Sequence, residues 1–407
     1  MKITKLSLVA ALLIGSSAMA LENTKVTGDA NLFYQTSDGY VTNGANKDGL
    51  FSSGKSSADI SVNLNVTTDV LKTDSVAISA GVGYTVLTTL GLEGQMVDNA
   101  WAGAHEVTPS GVVKDASWVN EAWFATTSAN TTVKVGRMEL DTPLAFTETW
   151  TIEKNTFESA VVINQDIPNT ILVGAYIGRG NGVVNYNNTG AVVDVNGEFT
   201  NYGSVAAGVT GKGAYAVAAI NNSWEPLTIQ AWYYDIVAVA TATWLQADYT
   251  MGNIIAGAQY TTISLNDSNA YALMVGYAVE DSFTAKIAYS AVDTNGDAGF
   301  NTATYRGGGS QSKLYTEAWW NYGNNTTKGA QTTNLTVEAP LAGIDFGAYI
   351  TAINHDTPVS GKDSLIEYTA TASKSIGFVD ATLVYIHSDV LEKNQDNTLQ
   401  VYLTANF

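Results

Sequence analysis

The residues with the most chemistry to offer are carboxylates. Glu139, Asp141, Glu148 and Glu153 stand in one short stretch, with Glu158 just beyond, and Arg137 and Lys154 are the basic residues among them. Acids so spaced can attract cations, chelate a divalent ion or trade protons. Catalysis lacks the partners. The three histidines, His105, His355 and His387, have no second ligand at metal-binding spacing. Neither a Gly-x-Ser-x-Gly nor a His-Glu-x-x-His motif occurs. Gly307-Gly308-Gly309 lacks the strand-to-helix setting of a phosphate cradle. Asp293, Asn295 and Asp297 open like an EF-hand loop, but glycine stands at the seventh position and no glutamate at the twelfth. Ca²⁺ at the acidic loops is therefore at most incidental. No enzyme activity and no cofactor are expected.

The elements that position these acids are strands. Charged residues are 14% of the chain, there are only six prolines, and Thr, Val and Tyr are abundant. Strict alternation recurs over segments of about ten residues. Ala58, Ile60, Val62, Leu64 and Val66 point one way, and Asp59, Ser61, Asn63 and Asn65 the other. Residues 76–86, 271–279 and 344–352 repeat the pattern. About eighteen such segments fit between residues 25 and 407. Connections after odd-numbered segments are often long (37–56, 89–116, 139–156, 179–212, 293–330). Those after even-numbered ones stay short. A soluble sandwich has no reason to sort its loops by parity, whereas a transmembrane barrel has. Residues 313–322 are read as loop, since a nineteenth strand would break the parity.

The two ends agree. Lys2 and Lys5, the apolar run Leu6 to Ile14 and Ala18-Met19-Ala20 read as a signal peptide over 1–20, leaving 21–407 as one barrel domain. Leu399, Val401, Leu403, Ala405 and Phe407 alternate to the last residue, resembling the signal read by the barrel assembly machinery. The formal charge of −19 becomes −21 without the two leader lysines, which argues against a nucleic-acid partner. The fold class expected is all-β, a transmembrane antiparallel barrel of about eighteen strands with long extracellular loops. The rival is a secreted or surface-layer β-rich adhesin or structural protein.

Val135-Gly136-Arg137-Met138-Glu139-Leu140-Asp141-Thr142-Pro143, followed by Asn155-Thr156-Phe157-Glu158, resembles the Gly-Arg-x-x-Leu-x-Thr-Pro passage of OprD-like outer-membrane porins. Campylobacter-type major outer membrane porins are similar in length and layout. The resemblance implies an eighteen-stranded barrel, often a homotrimer, with loop three folded into the lumen as the constriction. Arg137, Glu139, Asp141, Glu148, Glu153 and Lys154 are then the constriction residues. The arginine ladder of substrate-specific members is not evident, because only Arg137, Arg179 and Arg306 occur.

In a barrel, alternation sends Asp29, Asp59, Glu121, Asp248, Glu338, Asp345, Glu367 and Asp380 inward, against Lys134 and Lys286. The implied function is a passive, cation-preferring channel for small hydrophilic solutes, embedded in outer-membrane lipid and lipopolysaccharide. Trp319, Trp320 and Tyr322 are expected to pack their loop against the barrel rim.

Overall fold

The computed structural model describes residues 24–38, 49–97, 105, 113–149, 152–181, 185–186, 192–194, 199–203, 211–305, 310–355, 364–390 and 394–407. The alternating segments become β1 Lys25–Ser37, β2 Ser56–Lys72, β3 Ala77–Thr88, β4 Ala116–Ser128, β5 Thr131–Met138 and β6 Phe157–Asn164. They continue as β7 Thr170–Gly180, β8 Ala214–Trp224, β9 Leu227–Ile236, β10 Ala240–Met251, β11 Ile254–Ile263 and β12 Ser268–Val279. The last six are β13 Phe283–Val292, β14 Ala330–Leu341, β15 Ile344–His355, β16 Leu365–Ile376, β17 Val379–Val390 and β18 Asn394–Asn406.

Each strand pairs antiparallel with its neighbours in sequence, and β1 pairs with β18 from Asp29 opposite Asn406 to Ser37 opposite Thr398. The sheet is thus a closed eighteen-stranded barrel without a free edge. Thr200–Asn201 adds two residues beside the end of β7. Residues 313–322 form no strand. Residues 1–20, expected as a signal peptide, and Arg306 lie outside the described residues.

Every connection after an even-numbered strand is two to five residues long. Between β14 and β15, Ala342 and Gly343 both have positive φ (54° and 74°), the geometry of a type I′ turn whose twist matches the strands. Long connections fall at the other end, although 237–239, 264–267 and 391–393 there are short too.

Alternation sorts the wall into two faces. Val62, Leu64, Val82 and Val86 are 41–49% exposed on the outside, while Ser61, Asn63 and Thr85 beside them are buried within. An outer belt of exposed Val, Leu, Ile and Tyr runs along most strands, far beyond what a soluble monomer tolerates. Such a wall suits lipid, where a closed barrel leaves no backbone group unpaired.

The inner face is not polar throughout. On β5–β9 it is apolar: Met138, Val161, Ile163, Val173, Ile177, Trp232 and Tyr234 are buried. They form one cluster with Leu140, Leu144 and Ala145 of the 139–156 connection and with Phe300 and Leu314 of 293–329. Each buried leucine there contributes roughly 2 kcal/mol. Gly81 makes room for this packing at one edge, since a Cβ would lie 2.5 Å from the ring of its cross-strand partner Trp123.

Candidate functional site

Inside the barrel lies a cavity of about 600 Å³. Its polar wall comes from β1, β2, β4, β17 and β18, and its other side from the 139–156 connection and Trp319. Four carboxyl side chains line it, Asp29, Glu121, Glu139 and Glu153, against the one ammonium of Lys154.

The polar wall holds the acids by amides. Asn63 Nδ2 donates to both oxygens of Glu153 (3.0 and 3.1 Å) and to Asp29 Oδ2 (2.8 Å), and Asn31 Nδ2 donates to the same Asp29 oxygen (2.5 Å). Thr85 in turn donates to Asn63 Oδ1 (2.5 Å), fixing the amide's orientation. Burial pushes the Glu153 carboxyl above its ordinary range; the bonds from Ser61, Asn63 and Asn31 pull the other way, and the Asp29 charge adds to the rise. Glu121 is brought inward by a bulge in β4, where Gly83 faces Glu121 and Tyr84 faces Val119, leaving Asn120 unpaired between them. Trp123 Nε1 donates to Glu121 (2.8 Å), and the buried Lys134 ammonium sits 4.1 Å from the centroid of the same indole. Lys154 pairs loosely with Glu139 (3.3 Å).

The 139–156 connection touches distant strands. Glu153 meets β2, and the Leu144 N–H donates to Tyr234 Oη of β9 (3.4 Å). Asp141 is paired with Lys313 (2.5 Å). Glu148 is 3% exposed and accepts from Asn301 Nδ2 (2.9 Å) and Thr304 Oγ1 (2.6 Å), so it clasps 139–156 to 293–329. Its own N–H donates to Asn155 Oδ1 (2.6 Å). Glu148→Ala should leave those donors unsatisfied at about 1–3 kcal/mol. Limited proteolysis of the purified protein should then cut between residues 139 and 156 faster than in wild type. An unchanged cleavage pattern would count against the clasp.

One expected site residue is corrected. Arg137 stands on the outer face, because Lys134 and Met138 on β5 point inward and the exposed Val135 points out. Its guanidinium bonds Glu158 (2.9 Å), which also takes Arg179 Nε (2.5 Å), and it lies 3.6 Å from the Phe199 ring centroid.

The remaining inward residues are dispersed. Lys286 stands 3.9 Å from Glu338, and Asp345 is exposed near the short-turn end. Asp59 is fully buried against His105, and Glu367 is buried beneath residues 319–321. Asp293 accepts a bond from Asn269 N at the start of β12, and Asp297 from Lys328 N in its own loop. Phe407 exchanges backbone bonds with Gly28 (2.8 and 2.9 Å), and its exposed ring covers that glycine.

Sequence reasoning missed the amides Asn31 and Asn120 and the aromatic Tyr402 in the cavity, and it placed Trp319 at the rim. The inward alternation of Asn31 and Tyr402 was the available signal.

No protein-family model matches the sequence, nor does any curated protein. Solved structures do. OccK9 (OpdG) of Pseudomonas aeruginosa superposes with a TM-score of 0.75 at 11% identity, covering 95% of this chain and 99% of that one. The chain shares its fold. OpdK of the same organism, solved with vanillate, gives 0.72 at 11% identity over 95% and 99% of the two chains. OccK8 (OprE) gives 0.72 at 12% identity over 96% and 99%. The barrel implied by the OprD-like resemblance is thus matched over nearly its whole length.

Proposed function

We propose that this chain is an outer-membrane porin, a passive diffusion channel for small hydrophilic solutes with a preference for cations. The observation that carries this is the water-accessible cavity with four carboxyls against one ammonium, enclosed by a wall whose outer face is apolar. Low-dielectric walls around like charges raise the local counter-ion concentration. In this reading 139–156 folds into the lumen as the constriction. Glu139, Glu153 and Lys154 face the solute path, while Asp141 and Glu148 hold the loop in place. OpdK has been solved with vanillate, an aromatic carboxylate. The acidic excess here opposes a carboxylate and favours cationic or neutral solutes.

Export by the leader, delivery by the barrel assembly machinery through Phe407, contact with lipopolysaccharide and assembly as a homotrimer belong to the same proposal. The rival adhesin reading would need a polar outer face, which the exposed Val, Leu and Ile side chains do not provide.

Planar-bilayer recording tests the proposal. Purified protein should give ohmic steps, and its reversal potential in a KCl gradient should take the sign of a cation-preferring pore at about 0.1 M salt. The preference should fade at about 1 M, where screening acts within roughly 3 Å. Absence of steps would sink the channel reading, and an anion-selective sign would sink the cation preference alone.

A further inference from the structure

The 293–329 connection also crosses the barrel. At one side Gln259 of β11 donates from Nε2 to the Lys313 carbonyl (2.9 Å) and accepts from the Tyr315 N–H (3.1 Å). There Tyr315 Oη also donates to Asp248 of β10 (2.7 Å). At the other side the chain reaches Glu367 of β16. This carboxylate is 1% exposed. Its Oε1 accepts from Trp319 N (2.8 Å) and Trp320 N (3.1 Å), and its Oε2 from Asn321 N (2.7 Å) and Asn321 Nδ2 (2.8 Å). Three consecutive backbone N–H groups converging on one anion form a concave anion-binding turn. Here the anion belongs to the barrel wall. Asn321 also reaches Ser388 of β17 (2.8 Å), and the Trp319 indole reaches Gln400 of β18 (3.4 Å) and faces the acidic cavity.

We infer that Glu367 is a positioning residue, a wall-mounted latch that holds residues 319–321 and thereby fixes Trp319 as part of the bore. This rests on the channel reading above. It assigns Glu367 a different task from the cavity acids. Its oxygens are turned to backbone donors and not to solute, so its charge organises the loop more than it selects ions. Both oxygens must be acceptors, because all five groups facing them donate, the Thr369 hydroxyl (3.1 Å) beside the four from residues 319–321. A carboxamide would turn an N–H₂ toward N–H donors and lose half the contacts.

Two substitutions separate latch from field. Glu367→Gln removes charge and latch together. Glu367→Asp keeps the charge and withdraws the oxygens by about 1.5 Å, one carbon–carbon bond. If Glu367 is a latch, both variants free Trp319, and single-channel conductance rises by roughly two-fold with a noisier open level. The reversal potential of Glu367→Asp stays at the wild-type value. Trp319→Ala, which leaves the latch in place, should raise conductance to a similar extent. If Glu367 acts by its field, Glu367→Gln loses cation preference without a rise in conductance and Glu367→Asp resembles wild type, which overturns the inference. Failure of both Glu367 variants to give a heat-modifiable barrel would mean that Glu367 serves folding, and this too overturns it. Loss of channel activity in the wild type would instead refute the porin reading beneath.

Discussion

In a KCl gradient at low salt, the variant combining Asp29→Asn, Glu121→Gln, Glu139→Gln and Glu153→Gln should show a reversal potential close to zero. The four side chains are the carboxyls of the cavity, opposed by Lys154 in its lining and by Lys134 behind Trp123, and they are gathered in about 600 Å³. Charges enclosed by low-dielectric walls focus their field on the solute path, and such fields change local ion concentrations by about ten-fold or more. The cation-to-anion permeability ratio should therefore fall by roughly an order of magnitude. The control is specific. Asp141→Asn with Glu148→Gln should leave the ratio nearly unchanged, because Asp141 already faces Lys313 at 2.5 Å and Glu148 is turned to Asn301 and Thr304. A pH series adds a second reading of the same site. Burial holds Glu153 above the ordinary carboxylate range, so it takes up its proton at a higher pH than an ordinary glutamate as pH falls. Cation preference should thus begin to decline at a higher pH than ordinary glutamates would allow, and Glu153→Gln should remove that early step. Equal loss of preference from the cavity set and from the Asp141–Glu148 pair would show that the acids act as a diffuse charge and not as a filter.

The barrel was legible because its signal is local. A period of two, repeated eighteen times with turn residues between, fixes each strand to within a few residues; β5 and β6 fall at 131–138 and 157–164 as the pattern alone places them. The same rule, carried through β5, also puts Arg137 on the outer face. Lys134 points inward, so Arg137 three residues on must point away, and treating it as part of the constriction overrode that count. The clasp at Glu148 was not legible in this way. Its partners Asn301 and Thr304 lie more than 150 residues away in sequence, and no periodicity links two loops. The apolar inner sector was hidden for a related reason. Residues such as Val161, Ile163 and Val173 lie in strands apolar on both faces, and only the inward connections explain what covers the second face.

Removing His105 should be the most destabilising single change near the barrel wall. Asp59 on β2 and His105 in the 89–115 connection are both fully buried and joined at 2.7 Å through Nε2. The other ring nitrogen, Nδ1, lies 2.7 Å from the Lys114 carbonyl oxygen. A carbonyl can only accept, so Nδ1 donates to Lys114, and opposite an ionised carboxylate Nε2 donates as well, an arrangement that stabilises the imidazolium. Burial by itself would lower the pKa of this ring. The Asp59 hydrogen bond and charge, with the Lys114 carbonyl and the Asp115 charge behind them, outweigh burial and hold it above 6.5. Because the folded value is raised, the pair's stabilisation is complete below pH 6.5 and is lost as pH rises through the folded value. His105→Ala should strip the buried Asp59 carboxyl of its imidazole partner at a cost of about 3–5 kcal/mol. Asp59→Asn with His105→Gln should recover most of that, since a neutral pair can still hydrogen-bond. Urea unfolding of the detergent-solubilised barrel, run on either side of neutral pH, measures both effects. The wild type should lose stability toward alkaline pH, and the double variant should not share that slope. A wild-type midpoint that stays level with pH, or a His105→Ala variant as stable as wild type, would show that the pair does not anchor the connection to the wall.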